Sequence, residues 1–232
     1  MQDNGYLTDL RTAAAGALAA KELCIGVGNT GNNKKKVQLC VIGCGVQARM
    51  QALAIKEVVE IEENVKCWNR TKSNGVKFVA EMAELGVTII LCDTVGEALK
   101  DCSLVVTTTC STDAIVKLEH LNKKNCTIIA VGSDTPGKRE VGGCVLGYIV
   151  GNGGLIVGDK KEQVLRLGEC QWGSAGIAGF EECIVELGDI VSLKKGGRKG
   201  EEMILVDLTG VGAQDAAVAG EVYKCWAAEN EE

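Results

Sequence analysis

The stretch from Val37 to Val58 joins an apolar run, a glycine-rich turn and a helical pattern, and it constrains the fold more than any other part of this chain. The apolar run Val37–Ile42 predicts a buried strand and leads directly into Gly43-Cys44-Gly45-Val46-Gln47-Ala48. A G-x-G-x-x-A turn between a strand and a helix is typical of dinucleotide binding, because its glycines permit a tight turn and a close approach of the backbone to a pyrophosphate. The free N–H groups at the start of the helix would then hold the anion. The alternative is a turn with a purely structural role.

Strand and helix patterns alternate along most of the chain. We predict strands at about 37–42, 65–68, 87–92, 103–107, 127–131 and 155–157, and helices at about 7–23, 46–58, 73–85, 95–99, 114–122 and 161–167, with a loop at 26–36. This alternation predicts an α/β fold with a Rossmann-type doubly wound parallel sheet. After residue 171 the pattern changes, and we predict a helix at 180–187, loops at 188–189 and 194–200, a strand at 203–208 and a C-terminal helix at 214–229.

Composition and charge exclude several classes of partner. The net charge of −6 argues against a nucleic-acid partner and against an anionic membrane surface. The basic clusters at 34–36 and 194–195 lie beside glycines and are interpreted as solvated loops. No apolar run reaches the roughly 18 residues that a membrane span needs, so we expect no membrane partner.

The chain contains 12 Cys but only one His. The cysteines are scattered without a C-x-x-C pair, and the first residues do not resemble a cleavable signal peptide. Reduced thiols packed in the core of a cytoplasmic protein are therefore the favoured interpretation. We expect no metal site, and we expect His120 to be a surface residue because it lies in a polar stretch.

Several segments, taken in order, carry a more specific signal. They are Leu10-Arg11-Thr12-Ala13-Ala14, the glycine motif, Trp68-Asn69-Arg70-Thr71, Thr107-Thr108-Thr109, the run from Val131 to Lys138 and Asp207-Leu208-Thr209-Gly210-Val211-Gly212. Their residues and order resemble the ornithine cyclodeaminase/mu-crystallin family over nearly the whole chain. The resemblance implies a Rossmann domain joined to a second, substrate-binding and dimerisation domain.

The same resemblance exposes a departure at the start of the chain. Members of the family begin with a long N-terminal half of the substrate domain, which supplies an Arg and a Lys for the substrate carboxylate and most of the dimer interface. We expect this chain to lack that half, as a fragment or as a reduced paralogue. The expected division is a helical remnant of the substrate domain at 1–30, an NAD(P)-binding Rossmann domain at 31–172 and a return to the substrate domain at 173–232. A homodimer is expected where the N-terminal half is present.

The end of the second strand predicts the choice of cofactor. An NAD-specific site usually carries Asp or Glu there for the ribose hydroxyls, whereas this chain has Asn69, Arg70 and Thr71. A guanidinium can pair with a 2′-phosphate and a threonine hydroxyl can hydrogen-bond to it. We therefore predict a preference for NADP(H), with NAD(H) possible, as the similar segment of mu-crystallin also implies. The alternative is a solvent-facing turn.

Asp134 is the predicted catalytic residue. It follows the apolar strand at 127–131 and precedes Pro136, at the edge of the sheet where ligands bind. The resemblance to cyclodeaminases implies that this carboxylate handles protons at the substrate amine, where amine and iminium must exchange protons. Mu-crystallin-type members lack Asp at this place, so Asp134 favours amino-acid chemistry. The alternative is an Asx turn ahead of Pro136.

The resemblance assigns roles to further residues. Arg11 would be shared by the cofactor and the substrate carboxylate, Lys138 would reach the cofactor, Thr109 and Cys110 would line the nicotinamide side, and Thr209 would return beneath it. The full set of predicted cofactor-binding residues is Arg11, Gly43, Gly45, Val46, Gln47, Asn69, Arg70, Thr71, Thr109, Cys110, Val131, Lys138 and Thr209, with Arg11 also binding substrate.

Two classes of function remain open from the sequence. The first is NAD(P)-dependent amino-acid chemistry of the ornithine cyclodeaminase type, in which hydride abstraction, ammonia loss and hydride return give a cyclic imino acid. A ketimine reductase or an alanine dehydrogenase-like oxidoreductase would use the same parts without hydride return. The second is a non-catalytic, mu-crystallin-like NADP(H)-binding protein. In the catalytic cases the partner is a small amino acid or a cyclic imine.

Overall fold

A computed structural model describes residues 4–24, 36–173 and 176–230. The helices are α1 (Tyr6–Cys24), α2 (Val46–Val58), α3 (Lys72–Glu84), α4 (Val95–Leu99), α5 (Gly143–Gly151), α6 (Lys161–Leu167), α7 (Leu187–Val191) and α8 (Gly212–Asn230). The strands are β1 (Lys36–Val37), β2 (Leu39–Ile42), β3 (Glu60–Ile61), β4 (Val65–Trp68), β5 (Ile89–Leu91), β6 (Leu104–Thr107), β7 (Thr127–Ala130), β8 (Leu155–Gly158), β9 (Ile184–Glu186) and β10 (Ile204–Asp207).

Eight strands form one parallel sheet in the order β5-β4-β2-β6-β7-β10-β8-β9, and β1 pairs separately with β3. Strand residues alternate between two apolar clusters, one on each face of the sheet. Leu39 and Val41 belong to the cluster that includes buried residues of α1, α2, α3 and α7. Cys40 and Ile42 belong to the cluster that includes buried residues of α4, α5 and α6. Helices thus cover both faces, which confirms the predicted doubly wound α/β fold.

Some predicted elements were wrong. The stretch predicted as a helix at 114–122 is an extended segment in which Val116 bridges Val141, followed by a single 3-10 turn at Leu118–His120. The stretch predicted as a helix at 180–187 contains a 3-10 turn and strand β9, and the predicted loop at 188–189 lies within α7. Tertiary pairing overrides the local helical pattern in both places, because the N–H groups of Ile115 and Val116 both donate to the Glu140 carbonyl and β9 pairs with β8.

Helix α5 and the short strand β3 were not predicted. The sequence of α5 has three glycines among nine residues and no polar face, so it lacks the period of an amphipathic helix. The predicted loop at 26–36 lies outside the described residues except for Lys36, which begins β1, and the predicted boundary at residue 30 also lies outside them.

All twelve cysteines are free thiols, and six of them are buried: Cys24, Cys40, Cys67, Cys102, Cys126 and Cys170. Core-packed thiols were predicted, and these six follow that prediction. Strands β9 and β10 extend the same sheet as the glycine-motif strand β2, while the proposed division of the chain at 172/173 remains a prediction. None of the helices in the described ranges is both long and apolar enough to cross a membrane.

Candidate functional site

The glycine turn lies at the carboxyl end of β2, between the ends of β4 and β6. Gly43 has a positive φ of 98°, and its N–H donates to the Trp68 carbonyl at 2.9 Å. A Cβ at this position would lie 2.9 Å from Thr108 Oγ1 and 3.0 Å from the Thr108 carbonyl oxygen. Both the left-handed backbone and the close neighbour therefore require glycine here.

The start of helix α2 is open for an anion. Gly45 is its N-cap, no side chain caps the helix, and its first turn contains no acidic residue. A Cβ built on Gly45 meets nothing within 4 Å, and Gly45 lines an open cleft, so there is room for a ligand beside the helix N-terminus. The unpaired N–H groups and the helix dipole favour a phosphate in such a space.

Gln47 connects the glycine turn to helix α1. Its Nε2 donates to Asp9 Oδ1 at 2.8 Å, whereas its Oε1 is buried without a hydrogen-bond partner in the described structure. A buried oxygen without a partner, next to an open helix N-terminus, can accept a hydrogen bond from a hydroxyl group of a bound ligand. Together with the glycine turn, these features fit a dinucleotide.

A cleft of about 460 Å³ extends from the glycine turn along the ends of β4 and β6. It contains predicted site residues from three separate segments, namely Gly43, Gly45, Asn69, Arg70, Thr71, Thr109 and Cys110. Its remaining lining comes from Cys44, Trp68, Asn74, Thr108, Ser111, Asp113, Ala114 and Ile115. The ends of adjacent parallel strands are where open α/β sheets bind ligands, so the sheet brings these residues to one place.

The end of β4 presents a free cation to this cleft. Asn69 Oδ1 accepts the Cys44 N–H at 3.1 Å, and Asn69 Nδ2 donates to the Thr71 carbonyl at 2.8 Å, so Asn69 braces both sides of the turn. Arg70 is exposed and lines the cleft, and within the described ranges no carboxylate pairs with it. Thr71 is the N-cap of α3 but makes no side-chain cap bond, so its hydroxyl is also available.

Asp134 and Lys138 lie outside the lining of this cleft. They form an ion pair of 2.6 Å between Lys138 Nζ and Asp134 Oδ1, and the Asp134 side chain is half exposed. Val131 is buried and its N–H donates to the Thr107 carbonyl, which places it beside the strand end that carries Thr109. These three positions belong to the loop after β7, next to the cleft in sheet order.

Arg11 and Thr209 occupy a different part of the structure. Arg11 belongs to α1 and faces α8, where its Nε is 3.2 Å from Asp215 Oδ1, and its guanidinium packs over Gly210. Thr209 donates from its hydroxyl and from its N–H to the carboxylate of Asp159, both at 2.9 Å. Among the described contacts, neither residue touches the glycine turn.

Sequence reasoning missed a group of buried carboxylates behind the cleft. Glu140, Glu169 and Asp207 are all fully buried. Burial raises the pKa of Glu140, although hydrogen bonds from Thr107, Thr109 and Gly132 oppose that rise. Burial raises the pKa of Glu169 to about 8 and that of Asp207 to about 7. The sequence signals were weak: Glu140 stands two residues after the predicted site residue Lys138, in a run that resembles a surface loop, and Asp207 begins one of the segments that carry the family resemblance.

A parallel sheet with helices on both faces, a glycine turn and an open helix N-terminus is the architecture of the dinucleotide-binding α/β proteins. Within that class, the chain belongs to the ornithine cyclodeaminase/mu-crystallin family, whose sequence model matches residues 1–230. This confirms the family that the sequence motifs resemble.

Individual relatives show what this family includes. Alanine dehydrogenase of Archaeoglobus fulgidus is 34% identical over 226 residues, which cover 97% of this chain and 65% of that protein. The structure of an archaeal alanine dehydrogenase dimer with bound NAD has a TM-score of 0.82 at 34% identity, covering 97% of this chain and 66% of that one. Delta(1)-pyrroline-2-carboxylate reductase of Thermococcus litoralis, in complex with NADH and L-proline, has a TM-score of 0.82 at 28% identity, covering 97% and 66%.

This chain spans 62–65% of the length of three curated relatives that it matches. The relatives include an archaeal alanine dehydrogenase solved with bound NAD and proteins named as cyclodeaminases. The family is thus defined by NAD(P)-dependent enzymes, while the activity of any one relative belongs to that relative.

Proposed function

We propose that this chain binds NAD(P) in the cleft at Gly43–Gly45 and serves hydride exchange at the nitrogen-bearing carbon of a small amino acid or cyclic imine. The observation that carries the proposal is the open, uncapped N-terminus of α2 facing free space behind a glycine turn. The relatives named as alanine dehydrogenase, iminosuccinate reductase and ketimine reductase support the chemistry, because each name denotes a carbon–nitrogen centre.

Three groups of residues would bind three different parts of the cofactor. Gly43, Gly45, Val46 and Gln47 would hold the pyrophosphate, and Asn69, Arg70 and Thr71 would hold the ribose end. The nicotinamide side would fall to Thr109, Cys110, Val131, Lys138 and Thr209. When bound, NAD(P) accepts or donates the hydride. The unpaired Arg70 supports a preference for NADP(H), with NAD(H) as the alternative, although the cofactors named for the solved relatives are NAD and NADH.

Proton transfer would fall to Asp134. Its carboxylate is half exposed and is paired with Lys138, so it is available to an amine while a cation keeps it oriented. Arg11 would bind the substrate carboxylate through its planar guanidinium, in exchange for Asp215. Both assignments follow the family resemblance and are proposals for this chain.

The relatives and the residues of the site support three different outcomes for the reaction. Cyclodeamination, with ammonia loss and hydride return, is favoured by Asp134 and by the relatives named as cyclodeaminases. Net oxidation or reduction is favoured by the relatives named as dehydrogenases and reductases. Binding of NADP(H) without turnover is the alternative left open by the sequence.

A homodimer and a cytoplasmic location complete the proposal. The solved archaeal alanine dehydrogenase is described as a dimer, which supports a homodimer of this protein where the N-terminal half of the substrate domain is present. The twelve free cysteines support a reducing compartment.

The test is a turnover assay of this chain with NADP+ or NAD+ when ornithine or alanine is the substrate, because these amines must lose hydride, and with NADPH or NADH when a cyclic ketimine is the substrate. Net redox chemistry changes the absorbance of the reduced cofactor in proportion to product. Cyclodeamination releases ammonia from ornithine while the cofactor shows no net change. Saturable cofactor binding without either signal would favour the binding-protein alternative, and absence of cofactor binding would overturn the proposal.

A further inference from the structure

The carboxylate of Glu140 joins two loops of the sheet edge. It is fully buried and accepts three hydrogen bonds: from Thr107 Oγ1 at 2.6 Å, from the Thr109 N–H at 2.5 Å and from the Gly132 N–H at 2.9 Å. Thr107 ends β6, whereas Gly132 lies two residues after β7. One side chain therefore ties together the loops that follow two neighbouring strands.

These two loops are in direct contact. A Cβ at Gly132 would lie 2.0 Å from the Thr109 carbonyl oxygen and 2.6 Å from Glu140 Oε1. Thr109 lines the cleft, and Gly132 leads into the segment that carries Asp134. The Glu140 carboxylate therefore lies at the contact that determines the distance between Thr109, in the wall of the cleft, and the loop that carries Asp134.

Glu140 is itself held from both sides. Its N–H donates to Glu169 Oε1 at 2.6 Å, and the next N–H, of Val141, donates to Glu169 Oε2 at 3.1 Å. Its carbonyl accepts the N–H groups of Ile115 and Val116 at 2.8 and 2.9 Å. A buried residue with its backbone fixed in this way presents its carboxylate in one position.

The chemistry of the three donors requires a carboxylate. Two of them are backbone N–H groups, which can donate a hydrogen bond but cannot accept one. Each of the two donates to a different oxygen of Glu140. A glutamine of the same shape would have to turn its NH₂ group toward one of these N–H groups, leaving that donor unsatisfied and repelled.

We propose that Glu140 is a positioning residue of the candidate site, which fixes the Thr109 wall of the cleft against the Gly132 loop. It touches neither the cofactor nor the substrate in this scheme. The consequence for cofactor affinity rests on the function proposed above, whereas the spacing of the two loops does not.

The test compares Glu140→Gln with the control Thr127→Val. The control removes the buried acceptor of an Arg198 Nη2 hydrogen bond at the opposite end of β7, so it perturbs the same strand away from the cleft. Amide hydrogen exchange is measured at Thr109 and Gly132, and NADPH and NADH affinities are measured by calorimetry. In the unchanged chain, these two loop amides should exchange as slowly as the amides within β6 and β7.

We expect Glu140→Gln to accelerate exchange of at least one of the two amides about tenfold and to weaken NADPH binding about tenfold, the order of one lost charge-assisted hydrogen bond. Thr127→Val should leave the cofactor affinities unchanged, and any faster exchange that it causes should affect the amides of β6 and β7 as much as the two loop amides. Fast exchange of both amides in the unchanged chain would overturn the proposal even if the variant fails to fold. Unchanged exchange in the variant, or faster exchange with unchanged cofactor affinity, would also overturn it. If the unchanged chain binds neither cofactor, the proposed function fails instead, and the exchange rates alone decide whether Glu140 spaces the loops.

Discussion

At the scale of single residues, the two glycines of the motif contribute by different means. Gly43 is required by its left-handed backbone and by its contact with Thr108, which are features of the fold. Gly45 has an ordinary extended backbone and free space around it, so the fold itself does not require glycine there. A requirement for glycine at position 45 would therefore come from a ligand.

Arg70 is predicted to set the cofactor preference. Replacing it in Arg70→Ala should weaken NADPH binding by about 1–3 kcal/mol, because one charge-assisted contact to the 2′-phosphate is lost, and should leave NADH binding nearly unchanged. Calorimetric titration of both cofactors checks this. Arg166→Ala, in the last turn of α6, is the control and should change neither affinity. Equal loss for NADPH and NADH, or a preference for NADH in the unchanged chain, would contradict the assignment.

Asp134 is predicted to act in chemistry and not in stability. Asp134→Asn should lower turnover about 10²–10⁴-fold while NADPH affinity and melting temperature stay nearly constant, because only a carboxylate takes and returns the amine proton. An exposed ion pair contributes only about 0–1 kcal/mol to folding, so loss of the Lys138 contact should have little effect.

The matched control for this substitution is Asp93→Asn, since Asp93 forms an equally short ion pair of 2.6 Å with Lys72 on the surface. It should leave turnover unchanged. Full activity of Asp134→Asn would mean that another group exchanges protons with the substrate amine. Loss of NADPH affinity together with activity would support the Asx-turn interpretation.

At the scale of elements, local patterns were sufficient where they agree with the tertiary environment. Helix α2 begins and ends at the predicted residues, because its apolar face meets the sheet directly after a buried strand. Helix α5 was missed because it is rich in glycine and its apolar residues are not confined to one face. The stretch at 114–122 was assigned wrongly because its backbone pairs with Glu140, a long-range contact that no local pattern encodes.

The same limit applies to the candidate site. The residues that follow strands were predictable, because parallel strands bring their carboxyl ends to one edge. The role of Glu140 was not predictable, since a glutamate in Lys138-Arg139-Glu140 resembles a surface charge until its three donors are placed around it.

Helices α1 and α8 form an apolar groove of about 640 Å³, lined mainly by Leu10, Ala14, Ala217, Val218, Val222, Cys225 and Trp226. None of the residues of α8 is buried, and Tyr223 and Trp226 are 65% and 58% exposed. An exposed apolar patch of this kind favours association, and we expect a second copy of the chain to cover it.

Sedimentation of this chain should therefore show concentration-dependent self-association, and Trp226→Glu should weaken it at least about tenfold because a charge would be buried in the contact. Leu193→Glu is the control, since Leu193 is 88% exposed but distant in sequence from both helices. A single monodisperse monomer at all concentrations would contradict this prediction.

At the scale of the whole molecule, the buried carboxylates predict how stability depends on pH. The pKa of Asp207 rises from its ordinary 3.8 to about 7 on folding, and that of Glu169 rises from 4.5 to about 8. At a pH between its unfolded and folded pKa, each carboxyl group binds more protons in the folded chain than in the unfolded chain. The contribution of these two groups to the free energy of unfolding is therefore complete below pH 3.8, falls as the pH rises, and is absent above about pH 8.

Asp207→Asn tests the prediction. Asp207 Oδ2 accepts the Cys170 N–H at 2.8 Å, and asparagine can keep this hydrogen bond without carrying a charge. The decrease in melting temperature from about pH 5.5 to about pH 8 should be smaller in this variant than in the unchanged chain. The exposed control Glu119→Gln should not alter it. An equal or larger decrease in Asp207→Asn would contradict the assignment.

The most direct test of the account is the binding of NADPH and NADH to Gly45→Ala, measured by calorimetry beside its melting temperature. An added Cβ at Gly45 meets no protein atom within 4 Å, and neither does one at the control position Gly188 in α7. If a dinucleotide approaches the backbone at this turn, Gly45→Ala should weaken its binding by at least about tenfold with an unchanged melting temperature, and Gly188→Ala should bind normally. Undiminished cofactor binding by Gly45→Ala, or no saturable binding by the unchanged chain, would contradict the account.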